Sequence, residues 1–191
     1  MPIDRIHAVQ LKRPMLWRVF GWWQVTVTVA GYGSEMNKAT GTSKLLPVGT
    51  YAQAAQVIDA IGPLTARELT DPAAADATFS ARSPRKARWV SPVDWRSQSV
   101  AVDTARGTAR VTFGRLTRRF QVVKIPHIQE LTFKQGPLQR RLGLAHVRFD
   151  LVPGAVRMTA RDVEETQARS LVDALRTRTL PALEPTDVAD A

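Results

Sequence analysis

Apolar and polar residues alternate in short stretches along this chain. Val9 and Leu11 alternate with polar neighbours, and Val25, Val27 and Val29 do the same. Leu131 and Phe133, then Val147, Phe149 and Leu151, repeat the pattern. Side chains of a strand point to opposite faces in turn, so each run predicts a half-buried strand. Between the paired runs, Leu16 and Phe20 sit four apart, as do Leu138 and Leu142. One helical turn at each place is expected to bury both members. Gly21 and Gly143 follow, suited to a helix end that needs positive φ.

These runs are two copies of one unit. With Ile6 set against Ile128, no gap is needed as far as Val29 and Leu151. Identities fall at Ile6/Ile128, Lys12/Lys134, Leu16/Leu138, Arg18/Arg140, Gly21/Gly143 and Val25/Val147. Downstream, QAAQVIDAI at 53–61 resembles QARSLVDAL at 167–175. The offset changes between the two matches, and the loop Gly31–Ser43 in the first copy absorbs the difference. Self-similarity of this kind signals a repeated structural unit.

More structure precedes the second copy than the first. Alternating runs at Arg88–Val90, Ser99–Asp103, Ala109–Phe113 and Phe120–Val123 predict four strands, with turns at Arg106-Gly107 and Gly114. A strand at Val156–Ala160 and a helix from Asp162 to Arg178 are expected after it. Asp162 is read as the N-cap, with Glu165 three residues on. Seven strands and a helix predict a mainly β fold, a barrel or sandwich closed by one helix. The first copy has two strands, a third at Lys44–Val48 and a helix from Tyr51 to Ile61. Residues 1–63 are thus expected to be a partial domain, 64–84 a linker, 85–178 a complete domain and 179–191 an acidic tail. Three strands and a helix cannot close a barrel. The first unit is expected to pack on the second or to pair with another chain, as in a homo-oligomer.

Charge sharpens the picture. The net charge of +10 is uneven: +3 over residues 1–64, −1 over 65–84, +12 over 85–161 and −4 over 162–191. A basic body attracts polyanions without choosing between lipid headgroups and nucleic acid. There is no cysteine, so disulfides, thiolate nucleophiles and sulfur metal sites are excluded together. No apolar run approaches the roughly 18 residues that span a bilayer, and no apolar h-region follows Pro2, Asp4 and Arg5. The chain is therefore expected to be soluble as it stands.

Catalytic signals are lacking. His7, His127 and His146 have no metal-ligand spacing, and no phosphate-binding or nucleophile motif occurs. No catalytic residue, metal ligand or cofactor is expected. The basic turns remain. Lys12, Arg13 and Arg18 surround the first; Lys134, Arg140 and Arg141 surround the second. They form either an anion or partner site, or structural pins in which Arg18 and Arg140 bond backbone carbonyls. In the aromatic cluster, Phe20 and Trp23 share parity with core positions. Trp17 and Trp22 are candidates for a membrane interface.

I-P-H-I-Q at 125–129 and Q-G-P-L-Q-R-R-L-G-L at 135–144 carry a further reading, with P-I-D-R-I-H-A-V-Q at 2–10 and L-W-R-V-F-G-W at 16–22. In this order of elements they resemble the bacterial pleckstrin-homology-like domain family, also called membrane-flanked domains. The resemblance implies two nearly orthogonal sheets with a C-terminal helix. It also implies the C-terminal part of a longer multi-domain membrane protein, at the cytoplasmic face of the bacterial plasma membrane. The function it implies is a non-enzymatic interaction or scaffold module that binds a protein partner or an anionic lipid surface. A nucleic-acid-binding β-barrel is the alternative.

Overall fold

The computed structural model describes residues 6–29, 43–71, 77–151 and 156–176. The expected acidic tail, and all but the last residue of the loop expected at 31–43, lie outside them. In chain order the elements are β1 (Ile6–Pro14), α1 (Trp17–Phe20), β2 (Trp23–Val29), β3 (Ser43–Gly49), α2 (Tyr51–Ile61), α3 (Ala66–Thr70), β4 (Phe79–Arg82), β5 (Ser99–Asp103) and β6 (Thr108–Phe113). Then come β7 (Thr117–Lys124), β8 (Ile128–Lys134), α4 (Pro137–Leu142), β9 (Leu144–Leu151), β10 (Met158–Glu164) and α5 (Glu165–Arg176).

Both strand pairs, β1/β2 and β8/β9, are antiparallel and joined through a short helical turn. Each turn ends on a left-handed glycine, Gly21 at φ 66° and Gly143 at φ 59°. The helix Tyr51–Ile61 begins at a capping box in which Thr50 and Gln53 satisfy each other's backbone N–H.

Among the described residues, ten strands form two sheets. One has the order β3-β2-β1-β7-β6-β5-β4; the other has the order β10-β9-β8. The bare edge of the first unit is filled from within the chain. β1 runs antiparallel to β7, with Val9 opposite Val122 and Leu11 opposite Phe120. That pairing satisfies a row of backbone groups that would otherwise be open to any passing strand. The outermost strand, β3, carries Lys44 and Pro47, and a proline cannot donate to a new ladder.

Two cores result. The larger lies between β4–β7 and the three-stranded sheet, sealed by Ala168, Leu171 and Leu175 of α5. The smaller lies on the other side of the large sheet. There Val9, Leu11, Trp23, Val25 and Val27 meet Ala54 and Ile58 of α2 and Ala66 and Leu69 of α3. β7 serves both: Val123 faces the larger core, while Phe120 and Val122 face the smaller. Burying those two side chains contributes roughly 1.5–3 kcal/mol each.

Several expectations need correction. Arg85–Trp89 is a 3-10 turn where a strand was expected at Arg88–Val90, and a strand that was not expected lies at Phe79–Arg82. The stretch read as linker holds α3 and β4. Arg106 pairs with Glu68 of α3, and Arg110 donates to the Glu68 carbonyl, so this segment is fastened to the sheet. The last strand continues to Glu164, so Asp162 is not a helix cap. The helical turns do not bury their apolar pairs. Leu16 is 77 % and Phe20 64 % exposed, and Leu138 is 50 % exposed. These turns sit at the ends of their sheets, where no described element covers those side chains.

Candidate functional site

The exposed apolar side chains are concentrated at one edge. Among the described residues, eight of the twelve large exposed ones are Met15, Leu16, Val19, Phe20, Trp22, Trp89, Val93 and Leu116. They come from α1, the 3-10 turn after β4 and the β6–β7 turn. Register explains the meeting. Pro14 at the end of β1 pairs with Thr117 at the start of β7, so α1 emerges beside the β6–β7 turn. Gly114 makes that turn at φ 87°, and a Cβ there would lie 2.0 Å from the Thr117 carbonyl oxygen.

Arginines are interleaved with these side chains. Arg18 crosses from the first unit to donate to the Arg115 carbonyl, and Asp94 accepts from the Arg115 N–H at 2.8 Å. Arg18, Arg96, Arg115 and Arg118 line an open concavity of about 260 Å³ with Ser97 and Gly114. A neighbouring hollow of about 550 Å³ shares Arg96 and Arg115 and adds Arg88, Trp89, Pro92, Val93 and Trp95.

The candidates from the sequence are distributed unevenly around this edge. Arg18 and Trp22 belong to it. Trp17 is half-buried, edge-on to Trp22 at 6.3 Å, while Phe20 stacks on Trp22 at 4.8 Å. Phe20, assigned by parity to the core, is thus an exposed aromatic; Trp23 is buried as expected. Arg13, not Arg18, pins the first turn. It donates to the Arg18 carbonyl at 3.4 Å and lies 4.7 Å over the Trp23 ring. Lys12 is not at the turn. It lies within β1 opposite Arg119, and its pKa is lowered by burial, then by Arg119 and Lys44. Lys134, Arg140 and Arg141 are exposed on the other sheet, apart from the first turn. Sequence reasoning missed Arg96, Arg115 and Arg118. The signal available was the density of arginine in R-L-T-R-R at 115–119, but spacing alone does not bring it to Arg18.

A second polar cluster is buried between β9, β10 and α4. Asp162 is fully buried at a break in the β9–β10 register, with φ 48°. Its carboxylate accepts from Ser91 Oγ at 2.6 Å and Gln139 Nε2 at 3.0 Å, and meets His146 Nε2 at 2.9 Å. Burial pushes its pKa up, but hydrogen bonds from His146, Ser91 and Gln139 outweigh that and hold it at about 2. Ser91 bonds the carboxylate rather than the imidazole, so this trio lacks the nucleophile-to-base contact of a hydrolytic triad. The cluster ties α4, β9, β10 and the segment before β5 together. Among the described residues, no group of three potential ligands could hold a metal.

Residues 88–179 match the family described as Bacterial PH domain. This part of the chain is a bacterial PH domain. No curated protein and no solved structure matches the chain significantly. The bacterial PH domain is a module of membrane proteins and is typically non-catalytic. The matched residues hold β5 to β10 and α5; β4 precedes them. No helix among the described residues is long and apolar enough to cross a membrane. The PH domain supplies the β6–β7 turn and the Trp89–Arg96 segment of the exposed edge; α1 comes from outside the matched residues.

Proposed function

We propose that the chain is a non-enzymatic module that docks on an anionic membrane surface, at the cytoplasmic face, through the edge built from α1, the β6–β7 turn and the Trp89–Arg96 segment. In this reading the first unit is the back half of a second PH-like domain, completed by strand pairing to β7. One observation carries the docking reading. The largest concentration of exposed apolar side chains coincides with a concentration of arginines. Val19 at 82 % and Leu16 at 77 % exposure are the most solvent-facing of them.

Interfacial binding needs both components. Apolar groups enter the headgroup–acyl boundary while cations meet anionic lipid. Each arginine near such a surface adds about 1 kcal/mol, and the side chains buried there add roughly 25 cal/mol per Å². Neither term alone holds a protein of this size on a membrane.

Nucleic acid fits less well. Single-stranded ligands are held by aromatic faces open to stacking. On the strands of the basic body Phe113, Phe120 and Phe149 are buried, and the exposed Trp89 lies off the strands on the 3-10 turn after β4.

Sedimentation with vesicles tests the reading. The chain is expected to pellet with vesicles containing phosphatidylglycerol and to remain in solution with phosphatidylcholine alone. Val19→Ser with Phe20→Ser should weaken binding about tenfold or more, given the apolar area removed. Both side chains are exposed, so folding is spared. Undiminished binding by that variant, or equal binding to both vesicles, would refute the docking surface.

A further inference from the structure

We propose that Arg18, Arg96, Arg115 and Arg118 form a composite phosphate-binding site, assembled only when the two units are docked. The proposal deepens the reading of this edge as membrane-facing and rests on it. The four arginines line one concavity and come to it from α1, the Trp95–Ser97 turn, the β6–β7 turn and β7.

None of the four forms an ion pair among the described residues. Three arginines elsewhere are paired, Arg106 with Glu68 and Asp103, Arg148 with Asp150, and Arg169 with Glu165, while many others are not; what sets these four apart is that one hollow brings them together. Here four like charges share one hollow, and the neighbouring carboxylate, Asp94, holds the Arg115 N–H. An anion entering the hollow relieves that repulsion.

The geometry favours phosphate over a simple point charge. A guanidinium is a planar fork with five donors that matches phosphate oxygens two at a time. Two of the forks are held by aromatic rings, Arg96 over Trp95 at 5.1 Å and Arg118 over Phe120 at 5.6 Å. Stacking of this kind restrains the guanidinium plane before the ligand arrives. Arg18 uses one nitrogen on the Arg115 carbonyl and keeps its remaining donors. Four cations suit a phosphomonoester, with close to two negative charges at neutral pH, better than a singly charged diester.

Arg18 belongs to the first unit and the other three to the PH domain. A ligand that touches all four therefore binds only the docked arrangement, and must stabilise it by mass action.

The test uses the full chain. Inorganic phosphate is titrated at constant ionic strength, with chloride as the control, and both tryptophan fluorescence and the melting temperature are followed. A saturable fluorescence change with a rise in melting temperature is expected for phosphate alone. Arg96→Gln with Arg118→Gln should weaken it at least about tenfold, as for loss of charge-assisted bonds. Both side chains are exposed, and the melt without ligand reports whether the variant folds. A response equal to that of chloride, or one that survives in the double variant, would overturn the site.

Vesicles separate the sources of the phosphate. A preference for phosphatidic acid over phosphatidylglycerol at equal surface charge, lost in the double variant, supports a lipid monoester. Saturable phosphate binding without such a preference supports a free ligand. Saturation without any vesicle binding keeps the site and sinks the membrane reading. Vesicle binding with no phosphate saturation does the reverse.

Discussion

His7 and His127 stack across the junction of the two units, with ring centroids 4.1 Å apart and planes inclined by 30°. His7 lies on β1, and His127 lies in the turn between β7 and β8. The Nδ1 atom of each is buried without a hydrogen-bond partner among the described residues. Burial lowers both pKa values, and for His127 the charges of His7 and Lys124 add to the effect. The folded state therefore disfavours protonation that the unfolded chain accepts near pH 6.5. Where the unfolded chain binds more protons, stability rises with pH. The contribution is complete above about pH 6.5 and is lost as pH falls toward the lowered folded-state values. Thermal melts should show a lower midpoint at pH 5.5 than at pH 7.5. His127→Gln should reduce that difference; an unchanged difference would count against the pair.

The Asp162 cluster makes a different prediction. Asp162→Ala leaves three buried or half-buried polar groups without their acceptor and should cost about 3 kcal/mol. Asp162→Asn keeps one oxygen and tolerates the left-handed backbone, so it should cost less. Denaturant unfolding of both variants measures the order. An alanine variant as stable as the asparagine one would show that the carboxylate network contributes little.

Two glycines should respond unequally to alanine. At Gly21 an added Cβ meets nothing within 4 Å, so only the left-handed backbone is penalised, by about 1–2 kcal/mol. At Gly114 the same penalty is joined by the contact with the Thr117 carbonyl, and the β6–β7 turn must open. Gly114→Ala should lower the melting temperature more than Gly21→Ala does. Equal shifts would mean that the turn rearranges freely.

Pairing of β1 with β7 predicts the exchange behaviour of the first unit. Amides from Ala8 to Arg13 should be protected from hydrogen exchange to a degree comparable with β7. Phe120→Ala should cost roughly 3–5 kcal/mol and raise exchange in β1 as well as in β7. Free exchange of β1 in the unmodified chain would contradict the shared sheet.

Much of this was legible in the sequence, and the failures have physical causes. Period-two alternation located β2, β5, β6 and β9 because each has at least one face against a core. The glycine-ended turns were legible because positive φ restricts the residue type. Phe79–Arg82 was missed because a short edge strand with polar flanks carries little periodicity. Leu16 and Phe20 were misassigned because spacing shows that two side chains share a face but not what lies opposite it. The same limit hid the arginine concavity. Arg18 and Arg115 are 97 residues apart, and only the β1–β7 register joins them. Asp162 looked like a cap because an aspartate before a helix usually is one; burial and three partners gave it another task.

The double-sided burial of β7 bears on how this chain can change over generations. Phe120 and Val122 suit neighbours from the first unit, while Val123 suits neighbours from the second. A recombination event that carried residues 88–179 into another gene would uncover two greasy side chains and an unpaired strand. The transplanted piece would stick to itself or need a substitute for β1. A change in either half is therefore felt by the other through a single strand.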